Sequence, residues 1–392
     1  MTGRSSRSPG HRPPGTTGGG PGPVLAVGMV PPGASGVRDY GRLLAAELRR
    51  EGRPVDEAWV VNDGRRLGPA VAASARLLGA ALTRRPPRLV IWHYSCFAHG
   101  LRGFPMPGVL LGLAFRSRGT RVVTVLHEPA YPWGPRGLRG RLQSGAQWMA
   151  LPLVLLGSAE AVVTTERRAV ALRRLPHAVR PCVRTVPVFS TVEVAGAPGP
   201  PPGEDGLCLG LLGYSGDGAR PDLLVRALVA MEVESRPRVL VLGSPGPLSP
   251  EGRGLRSLAD DLGVGHLLSF SGMIPADDLS RRLQSCAVVL VLNEQGPSSR
   301  RTTIAVPLAH GLPMICLDGP DRWEPLARER AAVLVKADVG SVTEAVLALL
   351  ADPDERRRQA DRARRCYADH MGVGRVAGAV GALLDGAGTP AP

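Results

Sequence analysis

Residues 287–315 read AVVLVLNEQGPSSRRTTIAVPLAHGLPMI. The run at 287–293 is short, apolar and rich in valine, which favours a buried strand of a parallel sheet. After the polar loop, the spacing predicts a helix over about 302–310 that Gly311 would terminate, and PMICLD at 313–318 predicts the next strand. A helix that joins two parallel strands is the repeating unit of α/β proteins. This stretch therefore indicates an α/β fold.

The same alternation occurs on both sides of an Ala-, Gly- and Pro-rich stretch, AGAPGPPPGEDG. Further strands are predicted at 24–30, 88–94, 121–127 and 161–165 before that stretch, and at 207–214, 238–244, 267–272 and 332–336 after it. Helices are predicted in the later part at 221–231, 277–286 and 341–352. A chain of 392 residues exceeds one ordinary core. We therefore expect two Rossmann-like, doubly wound domains that face a cleft.

This pattern also predicts the domain boundaries. We expect a disordered tail at 1–23, an N-terminal domain at 24–194, a linker at 195–206 and a C-terminal domain at 207–365. Residues 366–392 are expected to form a C-terminal helix that returns to the first domain, followed by a tail. The first residues lack the apolar segment of a secretory signal.

Positive charge is concentrated in the first half of the chain. The net charge is +14, and residues 1–200 contain 27 arginines against 10 acidic residues. Such a surface can attract nucleic acid, anionic lipid or phosphorylated substrates, and charge alone does not separate these partners. Interleaved aromatic residues and a recognisable binding module are missing, which argues against nucleic acid.

One segment favours the lipid alternative. RGLRGRLQSGAQWMALPLVLLG, at 136–157, is basic at its start and apolar afterwards, which predicts peripheral contact with an anionic membrane. The alternative is that Trp148 to Leu156 form a buried core helix. The apolar run is broken by Pro152 and is shorter than the ~18 to 20 residues of a membrane-spanning helix, so no transmembrane segment is predicted.

Cysteine and histidine spacing gives no sign of a metal site. The six cysteines form no CxxC pair and lie mostly in apolar runs, and the eight histidines form no HxxxH or HxH pattern. We expect reduced core cysteines in a cytoplasmic protein.

The polar loop of the opening stretch is the strongest candidate binding site. Hydroxyl groups, two guanidinium groups and the free N–H groups of a helix N-terminus together suit a diphosphate. The alternative is a simple helix cap with solvated arginines. The residues concerned are Ser298, Ser299, Arg300, Arg301, Thr302 and Thr303.

Two further segments follow predicted strands of the first domain. Gly33, Ser35 and Gly36 would let a backbone N–H approach a phosphate at the start of a helix, or would form only a tight turn. The GxGxxG spacing is missing, which argues against a nicotinamide-dependent oxidoreductase. His127 and Glu128 could orient a sugar hydroxyl or share a proton.

His93 and His99 are weaker candidates of the same kind. His93 lies at the end of the predicted strand 88–94 and His99 follows that strand, and either could be an ordinary loop residue.

The block at 238–315 resembles family 4 of the retaining glycosyltransferases, which have the GT-B fold. The features are VLGS, then LADDLGVGHLLSFSGMIPADDLSRRLQSCAVVLVLN, then LAHGLPMI. The first domain resembles the family more loosely, through GASGVRDYGRLLAAELRREG, VLHEP and SAEAVVTTE, so the resemblance extends over most of residues 24–385. It implies transfer of a sugar from a nucleotide-sugar donor in the C-terminal domain to a glycan, glycolipid or natural-product acceptor in the N-terminal domain. It also implies no metal and no cofactor, since cationic side chains neutralise the leaving diphosphate.

The sequence departs from the family at two motifs. Ser298 and Val306 occupy the positions of the usual glutamate pair, and Gly216 and Ala219 occupy those of the usual Arg and Lys, with Arg220 one position away. These departures leave a catalytically silent scaffold in a glycan-assembly complex as the alternative to an active enzyme. The resemblance and the loop pattern together predict that the donor contacts Gly213, Tyr214, Ser215, Arg220, Gly272, Met273 and Ile274, with Gly272 to Ile274 near the nucleobase.

Overall fold

The computed structural model describes residues 24–33, 35–62, 67–82, 89–99, 104–130, 137–196, 207–243 and 245–386. The expected tail at 1–23, most of the expected linker and the last six residues lie outside the described residues.

The first domain is a six-stranded parallel sheet in the order β2-β1-β3-β4-β5-β6. Its strands are β1 (Val24–Val30), β2 (Val55–Val61), β3 (Leu89–Ser95), β4 (Arg121–Glu128), β5 (Glu160–Val163) and β6 (Cys182–Thr185). The connecting helices are α1 (Gly36–Arg50), α2 (Leu67–Leu82), α3 (Met106–Ser117), α4 (Gly137–Leu155) and α5 (Glu166–Arg173).

The second domain is also a six-stranded parallel sheet, in the order β12-β11-β10-β7-β8-β9. Its strands are β7 (Cys208–Leu212), β8 (Arg238–Leu242), β9 (Leu268–Gly272), β10 (Val288–Val291), β11 (Met314–Leu317) and β12 (Val333–Val335). Its helices are α6 (Pro221–Ala230), α7 (Pro250–Asp261), α8 (Ala276–Gln284), α9 (Thr302–His310), α10 (Glu324–Arg328), α11 (Val339–Ala351) and α12 (Pro353–Cys366). A last helix, α13 (Val373–Leu384), follows a short π-helical turn.

Helices cover both faces of the first sheet because its strands are apolar at successive positions. Leu25 and Val27 of β1 pack in one core with residues of α2 to α5, whereas Val24 and Ala26 pack on the opposite face with α1 and α13. Successive side chains of a strand point to opposite faces, so a continuously apolar strand is buried on both sides. The expected α/β class with two Rossmann-like domains is confirmed.

Two strands of the first domain were not predicted, and both lie at an edge of the sheet. The sequence of β2 is VDEAWVV, with only its first residue fully buried, and β6 is CVRT. An edge strand has fewer neighbours to cover its side chains, so polar residues interrupt the apolar run that marks an interior strand.

Both sheets contain a point at which the strand order reverses, between β1 and β3 and between β7 and β10. In open α/β sheets, ligands bind beyond the carboxyl ends of the strands at such points. The loops after β7 and β10 carry Gly213 and residues 293–301, so most of the predicted phosphate-binding residues lie at the reversal point of the second sheet.

The C-terminal segment returns to the first domain. Helix α13 packs against α1, Arg53 makes two hydrogen bonds of 2.6 Å to the Asp385 carboxylate, and Arg121 donates to the Leu383 carbonyl at 3.0 Å. In the described part of the chain, no helix is both long and apolar enough to cross a bilayer.

Candidate functional site

Loops at the carboxyl ends of the two sheets meet, and we call the region where they face each other the cleft. Ser299, after β10, donates its hydroxyl to the Thr164 carbonyl at 2.5 Å, and its own carbonyl accepts from the Val188 N–H at 2.9 Å. Arg167, at the start of α5, forms a 3.0 Å ion pair with Asp321, which follows β11. The Ser299 hydroxyl, a predicted donor contact, is therefore engaged with the first domain.

Helix α9 begins in this cleft without a side-chain cap. It runs from Thr302 to His310, as predicted, and Arg301 at its N-cap makes no side-chain capping bond. Gly311 ends it in the left-handed conformation, with φ of 61°, which residues other than glycine adopt at a cost. The N–H groups of Thr302 and Thr303 have no partner within the helix because of their position in its first turn. They carry the partial positive charge of the helix dipole.

Two buried polar atoms beside this N-terminus make no hydrogen bond with the described residues. They are the hydroxyl oxygen of Ser298, a fully buried residue, and the Nε of Arg301. Arg301 is held through Nη2, which donates to Asn293 Oδ1 at 3.0 Å. An unsatisfied buried polar group costs about 1–3 kcal/mol. A ligand with acceptor oxygens at the start of α9 would instead accept from the N–H groups of its first turn.

Three arginines from the two domains converge at the same place. Arg168 of α5 donates to the His127 carbonyl at 2.8 Å and lies close enough to Arg300 for electrostatic repulsion. Burial and the nearby Arg300 lower the pKa of Arg168 to about 10, and the same two causes lower the pKa of Arg301. For Arg168 the charge of Glu128 and then that of Asp321 oppose this shift, and for Arg301 the charge of Asp321 opposes it. The pKa of both guanidinium groups is nevertheless lowered.

The acidic residues around the cleft contact Arg220 more closely than they contact Arg300. Glu294 pairs with Arg220 at 2.5 Å, and Asp222 accepts two further hydrogen bonds of 2.9 Å from the same guanidinium. Arg300 lies 4.0 Å from Asp321. Arg220, which the sequence predicts at the donor phosphates, is therefore already held by two carboxylates, whereas the Arg300 contact is long.

The loop after β7 touches the start of α9. Gly213 has φ of 71°, and a Cβ atom at this residue would lie 3.0 Å from Thr303 Cγ2, so glycine allows this approach. The Tyr214 side chain is buried away from the cleft, with its hydroxyl oxygen accepting from the Gly246 N–H at 2.7 Å. Tyr214 can therefore offer only backbone groups to a ligand, and Ser215 follows it in the turn.

The predicted nucleobase segment lies at the end of β9, two strands away from β7. Gly272 has φ of 62°, the Met273 side chain is exposed, and Ile274 is partly buried. The geometry leaves this segment accessible on the same edge of the sheet as Gly213.

His127 and His93 form a pair in the first domain. Nδ1 of His93 lies 3.0 Å from Nε2 of His127. Burial and then the charge of Arg168 lower the pKa of His127 to about 3, and burial also lowers the pKa of His93 strongly. Both rings are therefore neutral near pH 7 and can hydrogen-bond but not act as cations.

Glu128 lies beside this histidine pair at the carboxyl end of β4. Its Oε2 accepts a 2.8 Å hydrogen bond from Ser95, and the residue is exposed. The structure therefore brings His127 and Glu128 to the carboxyl edge of the first sheet, the edge that carries Thr164 and Arg168.

Other candidates of the first domain have local structural roles. His99 is fully buried, and its Nε2 accepts from Trp92 Nε1 at 3.0 Å and from the Met29 N–H at 3.4 Å. Ser35 caps α1 by accepting from the Arg38 N–H at 3.5 Å, and Gly33, with φ of 89°, forms the preceding turn with Gly36 at the first helical position.

Sequence reasoning missed Arg168, Asn293 and Asp321. Arg168 lies only three residues after a predicted strand, but nothing in the local sequence shows that its side chain turns back toward His127. Among the described residues, no three His, Cys, Asp or Glu side chains lie together as a metal site would require.

No family model and no curated protein matches the sequence. Solved structures do match, over nearly the whole chain. A sucrose-phosphate synthase from Thermosynechococcus elongatus has a TM-score of 0.67 at 16% identity, with 93% of this chain and 99% of that chain covered. HepE from Anabaena, solved in complex with UDP, has a TM-score of 0.64 at 12% identity, with coverage of 93% and 99%.

WaaG, a glycosyltransferase involved in lipopolysaccharide biosynthesis, has a TM-score of 0.63 at 14% identity, with coverage of 92% and 100%. At such low identities the likeness bears on the fold and not on the reaction. The two parallel six-stranded sheets and their neighbours in known structures show that this chain has the GT-B fold.

Proposed function

We propose that the protein is a glycosyltransferase that takes a sugar from a nucleotide-sugar donor and transfers it with retention of configuration. The observation that carries the proposal is the convergence of Arg168, Arg300 and Arg301 on the uncapped start of α9. The donor diphosphate would lie there, at the start of α9 and beside the Gly213 loop. The glycosyltransferase names of similar folds support the reaction class, as does the UDP in the HepE complex.

The chemistry follows from charge. Breaking the bond between sugar and phosphate moves negative charge onto the diphosphate, so fixed donors aimed at that oxygen stabilise the transition state more than the ground state. The N–H groups of Thr302 and Thr303 are already oriented by the first turn of α9, where no carbonyl of the helix accepts from them. A diphosphate would also relieve the repulsion among the three arginines, and no metal ion is needed in this scheme.

His127 and Glu128 would act on the acceptor side of the reaction. Retention requires the acceptor hydroxyl to approach from the face that the diphosphate leaves, so positioning matters more than basicity. A neutral His127 can orient that hydroxyl, and Glu128 can accept its hydrogen bond. The nucleobase would lie near Gly272 to Ile274, and the acceptor would be a glycan, a lipid-linked sugar or a natural product met at the cytoplasmic side of the membrane.

Arg300 provides the direct test because its side chain is partly exposed and its contact with Asp321 is long. We expect Arg300→Gln to weaken nucleoside diphosphate binding by about 1.5 to 3 kcal/mol, the range for hydrogen bonds to charged groups. Binding of the nucleoside monophosphate should change much less, because in this proposal the distal phosphate would lie nearest the helix. Calorimetry with both nucleotides, after a screen of nucleotide sugars for hydrolysis, measures this.

Arg322→Gln is the matched control, since Arg322 is a similarly exposed arginine of the same domain. Equal losses for both nucleotides, or an equal loss in the control, would contradict the diphosphate assignment. If the protein binds the diphosphate but neither hydrolyses nor transfers sugar from any donor, a catalytically silent scaffold is favoured. This alternative stays open because Ser298 and Val306 occupy the positions of the usual glutamates.

A further inference from the structure

Helices α3 and α4 expose large apolar side chains in two regular rows. In α4 the row comprises Leu138, Leu142, Met149 and Leu153, which follow one another at intervals of four, seven and four residues and so share one face. Leu138 is 75% exposed and Met149 is 81% exposed. In α3 the row comprises Met106, Leu110 and Leu113, and Phe104 precedes it.

The exposed row of α4 is separate from the face that packs on the sheet. Ser144, Gln147, Leu151 and Val154 are buried, and at about 100° per residue they lie on the opposite side of the helix. The helix is therefore not simply a core element, because its outer face is apolar as well.

The two rows form one surface because the helices cross closely. A Cβ atom on Gly112 would lie 2.5 Å from the Val154 carbonyl oxygen, and one on Gly157 would lie 2.2 Å from the Gly112 carbonyl oxygen. Leu113 and Leu153, both exposed, flank this crossing. We call the exposed face of α3 and α4, with its apolar rows, the apolar surface.

The charge around the apolar surface has a single sign. Residues 64–159 contain 13 arginines and one acidic residue, Glu128, which is engaged with Ser95 in the cleft. Exposed arginines stand at the end of α3 and the start of α4. They are Arg116, Arg118, Arg139 and Arg141.

This combination selects one class of partner. An apolar face with an arginine border and no acidic residue on either helix is complementary to a bilayer with anionic headgroups. A second copy of the chain would bring eight of these arginines together with no carboxylate on the facing helices, which like-charge repulsion disfavours.

We propose that the apolar surface docks the protein onto an anionic lipid bilayer. The first residues of α3 and α4 lie at the carboxyl edge of the sheet, the edge that carries His127 and Glu128. The docked surface would therefore reach the mouth of the cleft, so that a lipid-linked acceptor in the bilayer could enter the cleft. The entry of the acceptor rests on the proposed function, whereas docking itself does not.

Vesicle flotation tests the proposal with the full chain. We expect the protein to float with vesicles of 70% phosphatidylcholine and 30% phosphatidylglycerol at low salt, and to remain unbound to pure phosphatidylcholine. The double variant Leu142→Gln, Met149→Gln should bind at least tenfold more weakly. Arg139→Gln, Arg141→Gln should bind about 25-fold more weakly, at about fivefold for each arginine.

The matched control is Val233→Gln, Leu248→Gln, which removes two equally exposed apolar side chains from the second domain; Leu248 is 83% exposed. Unchanged binding in this control, with loss in the α4 variants and unchanged circular dichroism, supports docking. Failure of the wild-type chain to float, equal loss in the control, or a dimer in size-exclusion chromatography that the α4 variant dissociates would overturn the proposal. Nucleoside diphosphate binding should be unchanged in the α4 variants, so failure of docking and failure of the proposed function give different results.

Discussion

Acid should destabilise this protein through His99. The ring is fully buried, its Nε2 accepts two hydrogen bonds, from Trp92 and from the Met29 N–H, and its Nδ1 lies 3.2 Å from the Ser95 carbonyl oxygen. Nδ1 must therefore carry the proton and donate. A second proton, on Nε2, would turn this nitrogen into a donor that faces two other donors. Burial also disfavours the charged ring, and it lowers the pKa of His99 to about 3.

The sign and size of the effect follow from linkage. An unfolded histidine has a pKa of about 6.5, so between pH 6.5 and pH 3 the unfolded chain binds a proton that the folded chain does not. The contribution of His99 to the free energy of unfolding is therefore fully present above about pH 6.5. It falls as the pH decreases, by up to about 1.4 kcal/mol per pH unit. Between pH 7.5 and pH 4.5 the loss from His99 amounts to about 2.5 kcal/mol.

Urea unfolding at 25 °C, followed by circular dichroism at pH 7.5, 6.5, 5.5 and 4.5, measures this dependence. We expect His99→Gln to lower stability at pH 7.5 but to reduce the drop to pH 4.5 by about 2.5 kcal/mol, because glutamine can accept a hydrogen bond but does not titrate. His266→Gln, at an exposed position, should show the wild-type pH dependence. If His99→Gln keeps the full wild-type drop, the buried neutral histidine is not the cause and the reasoning fails.

Two further predictions concern the cleft. Gly213→Ala should lower the free energy of unfolding by about 1–2 kcal/mol, because alanine is strained at φ of 71° and its Cβ would meet Thr303. Urea unfolding measures this loss, with Ser215→Ala, at a partly exposed position, as the control. Equal losses in the two variants would contradict the prediction. His127→Ala should lower turnover more than it weakens donor binding, because the ring is expected on the acceptor side. Initial rates measure turnover, and calorimetry on the same sample measures donor binding. Unchanged turnover would mean that the pair of His93 and His127 only supports the fold.

The local structure around the proposed anion site was largely predictable because its parts are adjacent in the chain. The strand β10, the polar loop, the start of α9 at Thr302 and its end at Gly311 follow one another within 24 residues, and each obeys a local rule of periodicity or capping. For the same reason the interior strands of both sheets were predicted to within a few residues, whereas the edge strands β2 and β6 were not. Charged residues interrupt both of these strands, VDEAWVV and CVRT, so neither shows a continuous apolar run.

What sequence by itself determined, then, is the alternation of strands and helices, the two domains and the loop that offers positive charge to a ligand. Only the tertiary structure decided which charges meet. Arg168 and Arg300 are far apart in the chain but repel each other across the cleft, Ser299 reaches Thr164 instead of solvent, and Arg220 is taken up by Asp222 and Glu294. These pairings depend on how the two domains approach each other, and electrostatic energy depends on distance and burial, which local sequence patterns do not encode.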